Sequence, residues 1–408
     1  QKGPGSVRLF GCRPWPGPLM RLGVLTATLF TPWRAVSAMF VLNGAFLGIW
    51  ASRIPSIRDA QGLDKGQFGI LLLVMAIGAL ISFPIAGRLA DRFGAARITR
   101  ILAVLYGASL VGIALAPVSI LALGAAMFFF GATHGGMDVT MNSWATEVEK
   151  RAGRPIMSSF HATWSFGTGL GALSGYFAGV AGLGSSLHFL LAAALFSMLC
   201  LPFATIKWTS ERTVSHGGAP LFNLPRGMLI LVGLVGFCTT IGEGGMVDWS
   251  ATFLIEVTQA SEARAALGFT AFSVLMVVTR LLGDRVIAAL GPVLVTRLSG
   301  GIAALGGLLA VVAGTYWMSL LGFALMGIGY ATIIPMAFSR AAREDGVSAG
   351  QAIASVATLG YGGLLLGPPI IGGLAELTSI RLAFGLLIVL AVLMSLIAGA
   401  MRPSIPKD

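Results

Sequence analysis

His134, Asp138 and Asn142 stand four residues apart within one apolar run, so a helix there carries all three on one face. A carboxylate inside a membrane-length apolar segment costs about 2.5–3.5 kcal/mol on insertion scales, and such a group faces a cavity or a partner. Two readings fit. Asp138 is a protonation site with His134 as its partner and Asn142 beside it as a ligand to solute, or Asp138 joins a structural charge cluster with Arg88 or Arg92. Glu243 lies in a second apolar run, within Gly242-Glu-Gly-Gly245. Three glycines so close are expected to bend or unwind a helix and expose backbone groups to a bound solute. Glu243 is therefore the leading candidate for proton carrier or substrate ligand. Asp248 falls nearer the end of the same run. It is expected either to pair with Arg53 in a gate or to be a plain surface acid.

Asn43 and Trp50 are seven residues apart and also share a helix face. An amide and an indole together can hold a sugar-like ring by hydrogen bonding and stacking. The plainer readings are a helix–helix hydrogen bond for Asn43 and an interfacial belt residue for Trp50. His161 and Trp164 lie on another apolar run, His161 near its start where a gate would be, Trp164 deeper among the substrate candidates. A last group, Gly87, Arg88, Asp91, Arg92 and Gly94, occupies a junction between two apolar runs. Its glycines permit a tight turn and close helix approach, and Asp91 can accept from basic neighbours or from exposed N–H groups of the next helix. The alternative is a loop that only fixes topology.

These residues must be positioned by membrane-spanning helices. The chain of 408 residues is 56% hydrophobic and 11% charged, with a mean hydropathy of +0.87. A soluble domain could not bury that much apolar surface and keep a polar exterior. The 56 glycines follow no collagen period and sit inside apolar runs, as in helices that pack closely in lipid. Twelve stretches reach spanning length: 33–53, 68–90, 97–116, 119–144, 156–181, 186–206, 227–250, 265–287, 292–312, 315–338, 349–375 and 379–401. The fold class is an all-α membrane protein of twelve transmembrane helices.

Charge fixes the orientation. With the N-terminus in the cytoplasm, only Arg53, Arg58, Lys65, Arg264 and Arg381 of the 27 basic residues fall outside. That is a strong positive-inside bias. The net charge of +11 is thereby explained by orientation and by contact with anionic membrane lipids, not by nucleic acid. Residues 1–32, with Pro4, Pro14, Pro16, Pro18 and Pro32 among scattered arginines, read as a flexible basic tail rather than a processed signal peptide. Residues 33–206 form one six-helix bundle and 227–401 a second. The polar stretch 207–226 is the cytoplasmic linker between them, and 402–408 a C-terminal tail. The expected location is a bacterial inner membrane, multi-pass, with both termini cytoplasmic.

The halves echo one another. Gly87-Arg-Leu-Ala-Asp-Arg-Phe-Gly94 follows the second span, and Gly283-Asp284-Arg285 falls at the matching point after the eighth. Gly-rich fifth helices occur in both, at 167–175 and 360–369. Duplicated halves suit alternating access, in which one half rocks against the other.

The segment Gly87–Gly94 resembles the signature that major facilitator proteins carry after their second helix. The resemblance implies two pseudo-symmetric bundles and a secondary transporter. It also implies that Gly87, Arg88, Asp91, Arg92 and Gly94, with Asp284 and Arg285, act as a cytoplasmic latch favouring the outward-open state. A narrower resemblance rests on Asn43-Gly-Ala-Phe-Leu-Gly-Ile-Trp50, Arg53-Ile-Pro55, His134-Gly-Gly-Met-Asp-Val-Thr-Met-Asn142, Ser159-Phe-His161 and Glu243-Gly-Gly-Met-Val-Asp-Trp-Ser250. These stretches are similar to the YbjJ-like inner-membrane group, related to fucose-permease-like sugar:proton symporters. That implies a small polar solute such as a sugar. Some sugar symporters of the wider family carry an acid on the first span, where this chain has Asn43, so proton coupling would fall to Glu243 or Asp138.

Other classes find little support. There is no H-E-x-x-H, no G-x-S-x-G in a strand–turn–helix setting and no Walker motif, so neither an enzyme nor an ATP-driven pump is indicated. Cys12, Cys200 and Cys238 lack metal-like spacing. No cofactor is expected. The expected partners are a small solute, protons and lipid, with the chain acting as a monomer. The competing readings are a proton-driven exporter of drugs or metabolites and a non-transporting sensor or scaffold.

Overall fold

The computed structural model describes residues 31–153, 156–212, 225–341, 343–344 and 349–402, with the side chains of Ser158, Asp284, Ala349, Gly350, Gln351 and Ala354 left aside. Most of residues 1–32, and 213–224 of the 207–226 stretch, lie outside it. The N-terminal half contains α1 (Pro32–Ser52), the short α2 (Ile54–Ala60), α3 (Lys65–Phe93), α4 (Ala95–Ala114), α5 (Ile120–Ala152), α6 (Met157–Val180) and α7 (Ser185–Ala204). The C-terminal half contains α8 (Met228–Thr258), the short α9 (Glu262–Ala265), α10 (Leu267–Leu290), α11 (Pro292–Ala313), α12 (Tyr316–Tyr330), α13 (Ile333–Ala341), α14 (Ala349–Leu377) and α15 (Ile380–Leu396).

Among the described residues eleven helical stretches are long and apolar enough to cross a membrane. The long helix α6, richer in Gly, Ser and Thr, lies beside them. At about 1.5 Å per residue, helices of 20 residues or more match the ~30 Å hydrocarbon core. Leu190, Leu191, Leu195, Leu305, Leu308 and Val389 point outward, an apolar exterior suited to lipid and not to water.

One packing plan occurs twice. In the first half α1 packs on α6, α3 on α5, and α4 on α7. In the second, α8 packs on α14, α10 on α12, and α11 on α15. The halves meet along α3/α14 and α6/α10. Small residues set the closeness of these crossings. A Cβ on Gly44 or Gly48 of α1 would run into the backbone of Trp164 or Thr168 on α6, and one on Gly167 or Gly171 into Val41 or Ala45 in return. Backbones in such contact gain dispersion energy that lipid cannot supply, which is how glycine drives association in membranes.

Three boundaries differ from the sequence reading. The fourth span continues past 144 to Ala152 and the seventh past 250 to Thr258. The tenth is interrupted after Tyr330 and resumes at Ile333. Pro335 accounts for this break: it has no N–H to give to the carbonyl of Ala331, four residues back, and its ring crowds that oxygen. Gly94, between α3 and α4, has φ +94°, a conformation that side chains disfavour and glycine accepts.

Candidate functional site

Where α6 and α10 meet, Arg280 of α10 reaches across the divide between the halves. Its Nη1 donates to Ser165 Oγ of α6 at 2.6 Å, and its Nε to the carbonyl of Ala331 at 3.1 Å. That carbonyl is the one Pro335 leaves without a helical donor. Arg280 Nη2 lies 3.9 Å from Glu243 Oε1 of α8, near enough to pair but too far to hydrogen bond. Glu243 Oε1 is itself buried with no hydrogen-bond donor. Tyr330, the last residue of α12, lies over Gly242, and its hydroxyl is likewise unpartnered. One half-buried cation, one carboxylate and one free phenol therefore gather from three helices of one half, and the cation reaches Ser165 of the other.

The glycines beside Glu243 do not unwind α8, as their spacing suggested. The helix runs unbroken through Gly242-Glu-Gly-Gly245. Gly242 makes room for the Tyr330 ring, and Gly245 packs against Ile371 and Leu387. The irregular backbone is on the neighbouring tenth span instead, set by Pro335.

The N-terminal half contributes a second cluster. Asn142 Nδ2 donates to Asp138 Oδ1 at 3.1 Å. Among the described residues neither Arg88 nor Arg92 forms an ion pair with Asp138, so the structural charge cluster is not formed. His134 does not bond to Asp138; its ring stands 5.3 Å from that of Tyr106, and Nδ1 has no partner. Asn43 is fully buried and its amide is engaged: Trp164 Nε1 donates to its Oδ1 at 2.8 Å, and its Nδ2 reaches the His134 carbonyl at 3.4 Å. That is the helix–helix role, joining α1, α5 and α6. His161, one turn before Ser165, packs edge-on against Phe40 at 5.4 Å.

Trp50 is fully buried, so it is not a belt residue. It stacks on Phe68 at 6.2 Å, and Phe68 meets Trp249 of the other half edge-on at 6.2 Å. These rings belong to a seal between the halves on the face where α1 ends, here termed the Arg53 face. Arg53 itself pairs with Glu262 at 2.8 Å and also donates to the Leu183 carbonyl, while Ser56 bonds to Glu262. Burial pushes the Arg53 guanidinium down from its ordinary value and Glu262 opposes that shift. Glu256 takes Arg58 at 3.4 Å and Lys65 at 3.0 Å, and Glu376 accepts from the Lys65 backbone N–H at 3.1 Å. Below these pairs α3 and α14 touch at Gly69 and Gly372, where a Cβ on Gly372 would collide with the Lys65 carbonyl and one on Gly69 would crowd Pro369.

The expected pairing of Arg53 with Asp248 is absent. Because α8 continues to Thr258, Asp248 lies some ten residues, or about 15 Å, inside the helix end. It is 4% exposed, with Oδ1 unpartnered, and so is not a surface acid either. Glu262 on α9 takes its place. Glu256, Glu262 and Glu376 were not singled out by sequence, because acids at span ends look like ordinary loop residues.

The opposite face, at Gly94, is different. Arg88 and Arg92 are exposed, Arg92 rests over Phe93 at 5.1 Å, and no neighbour approaches Gly87 where a Cβ would be. Among the described residues Asp91 has no ion pair and no ion pair joins the two halves on this face. Arg285 is exposed; the Asp284 side chain lies outside the described residues. Among the described residues no group of three His, Cys, Asp or Glu is placed to hold a metal ion.

Comparison with known proteins agrees with this architecture. The sequence model of the Major Facilitator Superfamily matches residues 35–344. A Sinorhizobium fredii protein named "Uncharacterized transporter y4wD" is 46% identical over 374 residues, spanning 92% of this chain and 99% of that one. "Membrane protein MosC" of Rhizobium meliloti is 33% identical, over 88% of this chain and 86% of its own. Among solved structures a D-xylose-proton symporter superposes with a TM-score of 0.73 at 15% identity, covering 92% and 97% of the two chains. At that identity the likeness is one of fold.

Proposed function

The chain belongs to the Major Facilitator Superfamily, and from that premise we propose that it is a proton-coupled secondary transporter of a small polar solute, working by alternating access. Its activity is transport across a membrane and not catalysis. The observation that carries the proposal is the Arg280–Glu243 pair, held between the halves and tied to Ser165 of the opposite half.

The coupling follows from charge. An ionised Glu243 attracts Arg280 and helps hold the guanidinium in the cleft. A proton on Glu243 removes that attraction and lets the Arg280 guanidinium turn to the solute. Solute and proton then favour the same switch, which is thermodynamic linkage between two sites. Rocking α10 against α6 would break the Arg280–Ser165 bond, so the pair also senses the conformational state. Asp138 and His134 form a second proton-bearing candidate within the same cleft. Asn142 and Trp164 line it as solute ligands, Asn43 fixes Trp164 in place, and Trp50 caps it towards the Arg53 face.

In this reading the Arg53 face is extracellular and the Gly94 face cytoplasmic, the membrane is a bacterial inner membrane, and both termini are cytoplasmic. The positive-inside distribution supports that orientation. Two bundles, 33–206 and 227–401, move as units about the linker 207–226. Arg53, Glu262 and the Glu256 pairs form the extracellular gate. Asp91, its neighbouring arginines, Asp284 and Arg285 form a cytoplasmic latch that engages when the extracellular gate opens. The resemblance to fucose-permease-like symporters and the fold shared with a D-xylose-proton symporter make sugars the first solutes to test.

The test is uptake into proteoliposomes from a labelled panel of sugars, amino acids, organic acids and nucleosides, with and without an inward proton gradient. Accumulation of one solute only with the gradient is the expected result. Equal uptake without the gradient would make the protein a facilitator, and gradient-driven efflux would make it an exporter.

A further inference from the structure

On the Gly94 face the protein has a cavity of about 680 Å³ lined by Arg97 and Arg100 of α4, Arg212 beyond α7, the rings of Phe93 and Trp208, and the backbone of Gly94. Three guanidinium groups in one recess repel each other unless an anion joins them. Arg100 is the best fixed: its Nη2 donates to the Ile206 carbonyl at 2.8 Å, and the group lies 5.3 Å over the Trp144 ring. Its Nε is buried with no acceptor. Arg97 and Arg212 are exposed and form no ion pair among the described residues. Of the nearby acids, Asp91 forms no ion pair with any of these arginines among the described residues, and the other two are already engaged. Glu147 accepts from Trp208 Nε1 and the Glu211 backbone, and Glu211 pairs with Lys150. Nor can the segment following Arg212 supply a counter-charge, since no Asp or Glu occurs between Glu211 and Glu243. The walls are pinned: Arg151 donates to the Thr209 carbonyl and covers Trp208 at 3.8 Å, and Ser210 accepts from the Ala96 N–H at the start of α4.

A second hollow, about 510 Å³ and almost wholly apolar, lies along α7 at Ser197, Met198, Leu201, Pro202 and Thr205. Thr205 immediately precedes Ile206, the residue whose carbonyl holds Arg100. An arginine recess with an apolar groove close by in the chain, on a lipid-facing helix, matches a molecule with a phosphate at one end and a hydrocarbon chain at the other. Arginine suits the first part, because its planar fork binds phosphate oxygens in pairs. Basic pockets at the cytoplasmic ends of membrane helices hold anionic lipid headgroups by the same chemistry.

We propose that this recess is a binding site for an anionic phospholipid, with the phosphate diester between Arg97, Arg100 and Arg212 and an acyl chain along the α7 groove. The site is separate from the Arg280–Glu243 cleft. It rests only on the orientation proposed above, and its test does not depend on transport. An occupied site would tie the segment after α7 to the start of α4, directly beside the Asp91–Gly94 junction.

The test uses the full-length protein with Arg97→Gln and Arg212→Gln combined, two exposed positions, and the double lysine variant as a charge-retaining control. Proteins reconstituted in phosphatidylcholine nanodiscs with about 20% phosphatidylglycerol are extracted, and lipid retained per chain is counted by native mass spectrometry. The wild type and the lysine variant are expected to retain phosphatidylglycerol, and the glutamine variant to lose it at least fivefold while melting at the same temperature in phosphatidylcholine alone. Equal retention by the glutamine variant would overturn the proposal. So would an arginine-dependent rise in melting temperature with inorganic phosphate equal to that with phosphatidylglycerol, because the site would then take a free anion.

Discussion

Arg280 Nη1 donates to Ser165 Oγ at 2.6 Å, and this bond joins a half-buried charge of one half to the opposite half. The guanidinium can do this while also holding Ala331 because its donors diverge in a fixed plane. An ammonium in the same place can satisfy one acceptor well but not both. Arg280→Lys is therefore expected to fold and insert normally and to lose at least tenfold in transport rate. Uptake measured at matched reconstitution decides it. Near-normal uptake would mean that any cation at this position suffices.

The Ala331 carbonyl is available to Arg280 because Pro335 gives it no helical hydrogen bond. Pro335→Ala restores an N–H opposite that carbonyl and makes it compete with Arg280. The variant should melt higher, since removing an interior proline can relieve up to about 3 kcal/mol. It should also transport more slowly. A faster variant would show that the interruption hinders the cycle.

Arg53 is 2% exposed and depends on Glu262 for its compensating charge. Removing that charge costs about 1.5–3 kcal/mol, the range for hydrogen bonds to charged groups, reduced towards the lower end by the partial exposure of Glu262. Glu262→Gln should shift the population towards states open at the Arg53 face by roughly tenfold. Spin labels at Gln61 and Gln259, on opposite halves of that face, would report it as a longer distance component. An unchanged distance distribution would remove Glu262 from the gate.

Two glycine substitutions should separate folding from gating. Gly48→Val puts a side chain into the α1/α6 crossing inside one half, so it should lower the melting temperature and the yield of folded protein. Gly372→Val puts one into the α3/α14 crossing between the halves, where the Lys65 carbonyl and Trp249 now sit. That variant should fold, keep solute binding and fail to close at the Arg53 face. Spin-label distances across that face and melting curves distinguish the two.

Periodicity placed the spans because length in lipid is a property of single helices. What it missed involves relations between helices. Arg280 was not singled out, because its partners Ser165 and Ala331 lie on other elements. Asp248 read as a gate or surface acid because the seventh span was ended too early. Gly242, Gly244 and Gly245 read as a hinge, whereas the Tyr330 ring that Gly242 accommodates comes from a residue almost ninety positions away. Pro335 was visible throughout, but the partner it creates for Arg280 appears only when α10 and the tenth span are side by side. Glu243 and Asp138 stood out as candidates from their chemistry alone, since a carboxylate in an apolar run is costly wherever it points.

The most direct measurement records solute uptake and internal pH together in proteoliposomes bearing the wild type or Glu243→Gln, once a solute is found. The wild type should carry protons inward with solute. Glu243→Gln, fixed in a neutral form, should exchange labelled for unlabelled solute across the membrane but neither acidify the interior nor accumulate solute against its gradient. Accumulation and acidification by Glu243→Gln at wild-type levels would contradict the central role of the Glu243–Arg280 pair and move the coupling to Asp138.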